Sequence, residues 1–238
     1  MANPYFRFKE FTIYHDRCAM KVGTDGVLLG AWTHLEGKKK VLDVGAGSGL
    51  VSLMLAQRNP ESEVESIEID AAAAQQAEEN VANNPRFSPR VTVRCADFVE
   101  WARKSVAKYD LIVSNPPFFK NSLKSPSAQR TTARHGHALN IDDLIGLSAG
   151  LLSPNGTIAL IYPAEFLEEI LRIGRSSGLF PSRVCKVFPK PGSAAKRVLI
   201  ELSFAADPCE ESELTIEMER HVYTDEFRKL TQGFYLDK

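Results

Sequence analysis

The segment Ser114-Asn115-Pro116-Pro117-Phe118-Phe119 carries the most specific chemistry in this chain. Two successive prolines cannot continue a sheet, so the chain must turn there. Pro116 has no N–H, and its carbonyl remains an acceptor. The Asn115 side-chain oxygen is a second acceptor close by. Two convergent acceptors suit an NH2 group: they orient it so that its lone pair points at an incoming electrophile instead of staying conjugated with a ring. Phe118 offers a flat face for a planar substrate, with Phe119 beside it. The plain alternative is a strand-ending turn with both rings in the core. A second segment, Val41-Leu42-Asp43-Val44-Gly45-Ala46-Gly47-Ser48-Gly49, ends a strand and opens a helix. Gly45 and Gly47 lack a Cβ, so the backbone can turn sharply and approach a ligand. The N–H groups at a helix start favour polar or anionic ligand groups. Asp43 suits an ammonium group or an ordered water.

The glycines fall as GxGxG, not as the GxGxxG of dinucleotide sites. This is the spacing used for S-adenosylmethionine, which has no pyrophosphate to cradle. A tight strand–helix turn without a ligand is the competing reading. An acid at the end of the following strand can accept both hydroxyls of a ribose. Glu68 stands 19 residues beyond Gly49, and Ile69 next to it can lie on an adenine face. Asp70 is the other acid there and suits a helix cap. Asp97 can accept from an adenine amino group, with Phe98 as an apolar wall, or it can cap the helix that follows.

These residues need elements to hold them. From residue 39 to residue 205, short apolar runs alternate with amphipathic stretches. Strands are expected at Val41–Val44, Val64–Ile69, Val91–Cys95, Tyr109–Ser114 and Gly156–Tyr162. Helices are expected at Ser48–Gln57, Ala71–Asn84, Asp97–Lys104, Asp142–Leu152 and Ala164–Ser176. Such alternation gives an α/β fold, a mostly parallel sheet with helices on both faces. Ser182–Phe188 and Arg197–Phe204 form a closing hairpin, expected as an antiparallel edge. Upstream, Thr24–Trp32 reads as a helix capped by Thr24 or Asp25. The segment after Asp207 is acidic, with a strand and a short helix over Thr224–Gln232.

The 238 residues are 44% hydrophobic and 25% charged, which are globular values. No apolar run approaches the ~18 residues that cross a bilayer. Neither a secretion signal nor a lipidation box is legible, so no membrane association is expected. Cys18, Cys95, Cys185 and Cys209 form no CxxC pair; no metal site is expected, and a reducing, cytoplasmic compartment fits. The net charge is −1, but its distribution is uneven. No acid lies between Asp110 and Asp142, or between Glu169 and Glu201. The bases of 120–135 and 183–197 can therefore form a basic face in a neutral protein.

The Asn115-Pro116-Pro117-Phe118 turn and the glycine loop resemble the class I S-adenosylmethionine-dependent methyltransferases that act on amino groups. The likeness spans about residues 20–205. It implies a Rossmann-like fold with a seven-stranded sheet. The substrates of such enzymes include adenine, cytosine, guanine and protein glutamine. The amino-terminal residues narrow the choice. Phe8-Lys-Glu-Phe11-Thr-Ile13, then Cys18-Ala-Met-Lys21-Val-Gly23-Thr24-Asp25-Gly26 through Trp32, closely resemble the tRNA1(Val) (adenine37-N6)-methyltransferase family. Ala133-Arg134-His135 and Ala195-Lys196-Arg197-Val198 are similar to that family too.

The resemblance implies S-adenosylmethionine as cofactor and the anticodon loop of valine tRNA as partner, with no obligate protein partner. It implies that Lys21, Gly23, Thr24 and Asp25 line the cofactor pocket with Asp43, Gly45, Gly47, Gly49, Glu68, Ile69, Asp97, Phe98 and Asn115. Asn115, Pro116, Pro117 and Phe118 are then catalytic, and Phe119, Arg134, Lys196 and Arg197 meet the substrate. Residues 1–38 are expected to pack on the cofactor site, 39–206 to form the methyltransferase domain, and 207–238 to extend it. Methylation of a protein glutamine, or of another RNA or DNA base, is the alternative. The short stretch before the first core strand and the lack of a large recognition insert count against it.

Overall fold

The computed structural model describes residues 3–117 and 139–236. The expectations placed on Phe118, Phe119, Arg134 and His135 therefore lie outside the described residues. A small hairpin, β1 (Tyr5–Arg7) and β2 (Thr12–Tyr14), leads into α1 (Thr24–Trp32). Then follow β3 (Lys40–Val44), α2 (Leu50–Arg58), β4 (Glu63–Glu68), α3 (Ala71–Ala82), β5 (Val91–Cys95), α4 (Phe98–Lys104) and β6 (Tyr109–Ser114). The second half contains α5 (Ile141–Leu151), β7 (Leu152–Pro163), α6 (Leu167–Ser176), β8 (Phe180–Phe188), β9 (Arg197–Ser203) and β10 (Glu210–Thr215). A second hairpin, β11 (Glu217–Glu219) and β12 (Val222–Tyr223), and α7 (Asp225–Thr231) complete the chain.

The main sheet has eight strands in the order β10-β8-β9-β7-β6-β3-β4-β5. Strands β3 to β7 run parallel, as the alternation of strands and helices requires. The sheet holds one strand more than expected, because the acidic segment adds β10 in parallel beside β8. The antiparallel strand is also not at the edge. The chain passes β7, forms β8 one place further out, and returns as β9 in the gap between them.

Side chains alternate across a strand, and the apolar runs of β3 and β6 feed a core on each face. Val41, Leu111 and Val113 join one core with Leu53 and Met54 of α2, Phe8, Phe11 and Ile13 of the amino-terminal segment, and Phe227 and Phe234 near the carboxyl end. Leu42, Val44 and Ile112 join the other with Leu144 and Ile145 of α5 and Ile170 and Ile173 of α6. No helix of the described residues is long and apolar enough to cross a membrane.

Among the described residues, side-chain oxygens cap four helices and satisfy their first N–H groups, α7 through Thr224 Oγ1, which accepts from Phe227 N at 3.1 Å. Asp70 accepts from Ala73 N at 2.8 Å, Asp97 from Val99 N at 2.7 Å, and Asn140 from Asp143 N at 2.7 Å. Helix α1 departs from its expectation. Its N-cap is Gly23, with no side-chain cap, because Asp25 turns to a different partner.

Candidate active site

The strand order reverses at β3, which has β4 on one side and β6 on the other. Open α/β sheets bind ligands outside the carboxyl ends of the strands at such a reversal. The loop after β3 lies there. Gly45, Gly47 and Gly49 have φ of +75°, +54° and +78°, values that L side chains rarely adopt. A Cβ added at Gly45 or Gly47 would meet nothing within 4 Å, so this backbone borders open space. At Gly49 it would stand 3.4 Å from the Cβ of Ala77 on α3. The loop is tied to β4 by Gly45 N and Ala46 N, which donate to the Ile67 carbonyl at 2.8 and 3.1 Å.

Glu68 ends β4 at the same edge. One oxygen accepts from Gly47 N at 2.8 Å and the other from Asp70 N at 2.9 Å. A carboxylate offers about four lone-pair positions, so acceptor capacity remains for a diol. Ile69, next to it, is a large apolar side chain left 47% exposed. Asp97 sits at the head of α4 beyond β5, and one of its oxygens serves as the helix cap. Phe98 follows Asp97 and is buried. It is 4% exposed, belongs to the α5–α6 core, and stacks on Trp101 with ring centroids 6.4 Å apart.

Asp43 lies beneath the loop, only 2% exposed, and accepts from Ser52 Oγ of α2 at 2.5 Å. Ser52 Oγ lies 2.8 Å from Ser66 Oγ of β4. Burial raises the Asp43 carboxyl to about 6, against the opposing effect of the Ser52 hydrogen bond.

Asn115 follows β6 on the other side of the loop. Ser114 Oγ donates to the Val44 carbonyl at 2.7 Å, which fixes the end of β6 to the end of β3. Pro116 is buried, Asn115 half-buried and Pro117 exposed. A Cβ added at Gly26 of α1 would stand 4.0 Å from the Asn115 side-chain nitrogen, so the start of α1 borders this turn. Lys21, Gly23 and Thr24 are exposed just before it. Asp25 accepts from Arg197 Nε at 2.7 Å.

Much of the acid-free stretch acquires acids on folding. Arg183 donates to the buried Glu201 at 3.2 Å, lies 3.6 Å from Glu210, and stacks its guanidinium over Trp32 at 4.2 Å. Arg197 is taken by Asp25. Lys190 and Lys196 remain exposed in the β8–β9 loop. Arg197 pairs with Pro163 at the carboxyl end of β7, so this loop lies at the same sheet edge as Asn115. Two residues that the sequence reading missed are Gln76 and Asn80 of α3, both buried. They hold the chain that leads from β2 to α1. An alanine-rich helix gives no sign that its amides reach partners some sixty residues earlier.

The open backbone at Gly45 and Gly47, with a carboxylate on one bank and Asn115 on the other, fits a nucleoside bearing a reactive group. Reversed-order sheet and glycine loop together define a class I S-adenosylmethionine-dependent methyltransferase. Among solved structures, the chain is similar to a protein of Agrobacterium tumefaciens described as a predicted O-methyltransferase, with TM-score 0.69, 21% identity and coverage of 88% of this chain and 96% of that one. A ribosomal protein L11 methylase of Lactobacillus delbrueckii superposes with TM-score 0.53 at 18% identity over 75% and 76%.

The family model for the methyltransferase small domain matches residues 22–162. A tRNA1(Val) (adenine(37)-N6)-methyltransferase of Bacteroides fragilis is 50% identical over 237 residues, covering 99% of each chain. Its namesakes in Parabacteroides distasonis and Trichodesmium erythraeum are 50% and 45% identical, again over 99% of each chain. The chain belongs to the tRNA1(Val) (adenine(37)-N6)-methyltransferase family.

Proposed function

We propose that the protein transfers a methyl group from S-adenosylmethionine to the N6 amino group of adenine 37 in the anticodon loop of tRNA1(Val). The observation that carries the reaction is the Asn115-Pro116 turn, fixed by Ser114 to the strand that opens the glycine loop. Full-length likeness to relatives named for this activity supports the target base.

When bound, the cofactor supplies an electrophilic methyl on a positive sulfonium. Gly45 and Gly47 let the backbone lie close to it, Glu68 accepts from the ribose, and exposed Ile69 covers the adenine. Asn115 Oδ1 and the Pro116 carbonyl accept the two N–H bonds of the target amine and turn its lone pair towards the methyl. Their contribution is orientation and exclusion of water, which together supply much of the rate gain in such displacements. No side chain is required as a strong base, because a methylated ammonium is already acidic. Phe118 stacks on the target base in this reading. A loop base meets the site already unstacked, or is drawn out for a few kcal/mol. Lys190 and Lys196 meet phosphate at the same edge.

The test is transfer of a labelled methyl from S-adenosylmethionine to unmodified bulk tRNA, followed by nucleoside digestion and mass spectrometry. N6-methyladenosine at position 37 of a valine tRNA is the expected outcome. Transfer only to ribosomal RNA or to a protein fraction would overturn the target while leaving the role of Asn115 intact.

A further inference from the structure

Between β2 and α1 the chain runs from Tyr14 to Thr24 without a regular element. Side chains one turn apart on α3 grip its first part. Asn80 Oδ1 accepts from Tyr14 N at 2.9 Å, and its Nδ2 donates to the carbonyls of Tyr14 and Ser48 at 2.8 and 2.9 Å. One amide therefore holds both this segment and the glycine loop. Gln76 Oε1 accepts from Arg17 N at 3.0 Å and from the Cys18 thiol at 3.2 Å, and its Nε2 donates to Asp16 Oδ1 at 2.7 Å. Gln76 is 1% exposed and Asn80 fully buried. The far end of the segment is gripped from the opposite half of the molecule, where Arg197 of β9 holds Asp25.

The two grips stand on opposite banks of the cofactor mouth. Cys18 lies on the Glu68 side. Burial pushes its thiol up to about 11, and the Glu68 and Asp70 carboxylates add to that rise. Asp25 lies on the Asn115 side, one residue before Gly26, whose added Cβ would approach the Asn115 amide. The open backbone of Gly45 and Gly47 lies between. Ala19, Met20, Lys21, Gly23 and Thr24 are exposed; within the span between the grips, Val22 alone packs against the core, and its N–H donates to His15 Nδ1 at 3.3 Å.

We infer that Gln76 and Arg197 are positioning residues that stretch Asp16–Asp25 as a strap across the cofactor mouth, so that loss of either grip weakens cofactor binding and spares the transfer step. This rests on the cofactor of the class and not on the identity of the RNA. It also gives Arg197 a different duty from the substrate contact expected from the sequence.

A charge-swap cycle tests the Gln76 grip. Gln76→Glu sets a carboxylate against Asp16. The double variant Asp16→Asn with Gln76→Glu restores one donor and one acceptor in reversed order. Binding of S-adenosylhomocysteine is measured by calorimetry on the full chain without RNA, and trypsin cleavage at Arg17 and Lys21 is followed in parallel. Gln76→Glu should weaken binding by about tenfold or more and speed both cleavages, and the double variant should return to within about threefold of the parent. Arg197→Met should weaken the same binding by about tenfold, raise KM for the cofactor and leave kcat within about threefold.

Unchanged binding in both single variants would overturn the inference. So would a kcat loss at unchanged cofactor affinity, or a loss that the double variant fails to recover. Because the binding readout contains no RNA, a wrong target base would leave it unaffected and would show only in the transfer assay.

Discussion

Asn115 and Asp43 stand at two depths of one site and call for different experiments. Asn115 holds the substrate amine in our reading, so Asn115→Ala should reduce turnover by at least about a hundredfold with S-adenosylhomocysteine binding within about threefold of the parent. Equal loss of both in calorimetry and transfer assays would put Asn115 in the cofactor pocket instead. Asp43 is buried beneath the loop. Its ordinary value of 3.8 rises to about 6 through burial, so the folded state binds the proton more tightly than the unfolded chain. The stability that this proton confers is complete below pH 3.8 and is lost as pH rises through about 6. Asp43→Asn removes that dependence. Its stability relative to the parent should therefore improve by roughly 1–3 kcal/mol between pH 4 and pH 7 in urea titrations. A constant difference across that range would mean that Asp43 titrates normally. The sequence showed both residues beside ligand loops, but only packing separates the acid beneath the loop from the amide at its rim.

At the scale of elements, α1 and α2 meet at Gly30. A Cβ there would stand 2.7 Å from the Met54 sulfur and 2.9 Å from the Met54 Cβ. The sulfur can swing aside, but the Met54 Cβ is fixed to its helix, so the helices must part. Alanine usually stabilises a helix interior by about 1 kcal/mol over glycine. Here overpacking of about 1–3 kcal/mol wins. Gly30→Ala should lower Tm by about 2–8 °C in calorimetry. Gly150→Ala, on α5 with nothing within 4 Å of its added Cβ, should raise it slightly. Opposite signs would remove the contact from the account. The elements themselves were largely legible, because the apolar runs of β3, of β6 and of residues 158–161 in β7 are short and buried on both faces. The place of β9 between β7 and β8 was not. A hairpin's sequence sets its turn, whereas the order of its strands depends on which partner offers the open edge. Asp25 read as a helix cap for a similar reason, since its guanidinium partner lies 172 residues away.

Over the whole molecule, an acid-free run in the sequence becomes a more modest basic edge. Arg183 is committed to Glu201, Glu210 and Trp32, and linear reading cannot see those partners. Lys190 and Lys196 keep the exposure and the position that suit phosphate. Replacing both with alanine should lower the slope of log affinity for tRNA against log salt by about 1.5, measured by filter binding over a salt series. An unchanged slope would clear that loop of phosphate contact. The acidic segment had no assigned purpose in the sequence. As β10 it completes the sheet, setting Glu210 opposite Arg183 and Glu213 opposite Lys186. Its outer side is the last edge of the sheet, a row of backbone groups on which another chain can template itself. Glu210, Glu211 and Glu213 are exposed along it. Two copies brought together there would meet carboxylate against carboxylate, so the strand that finishes the sheet also keeps it from growing into its neighbour.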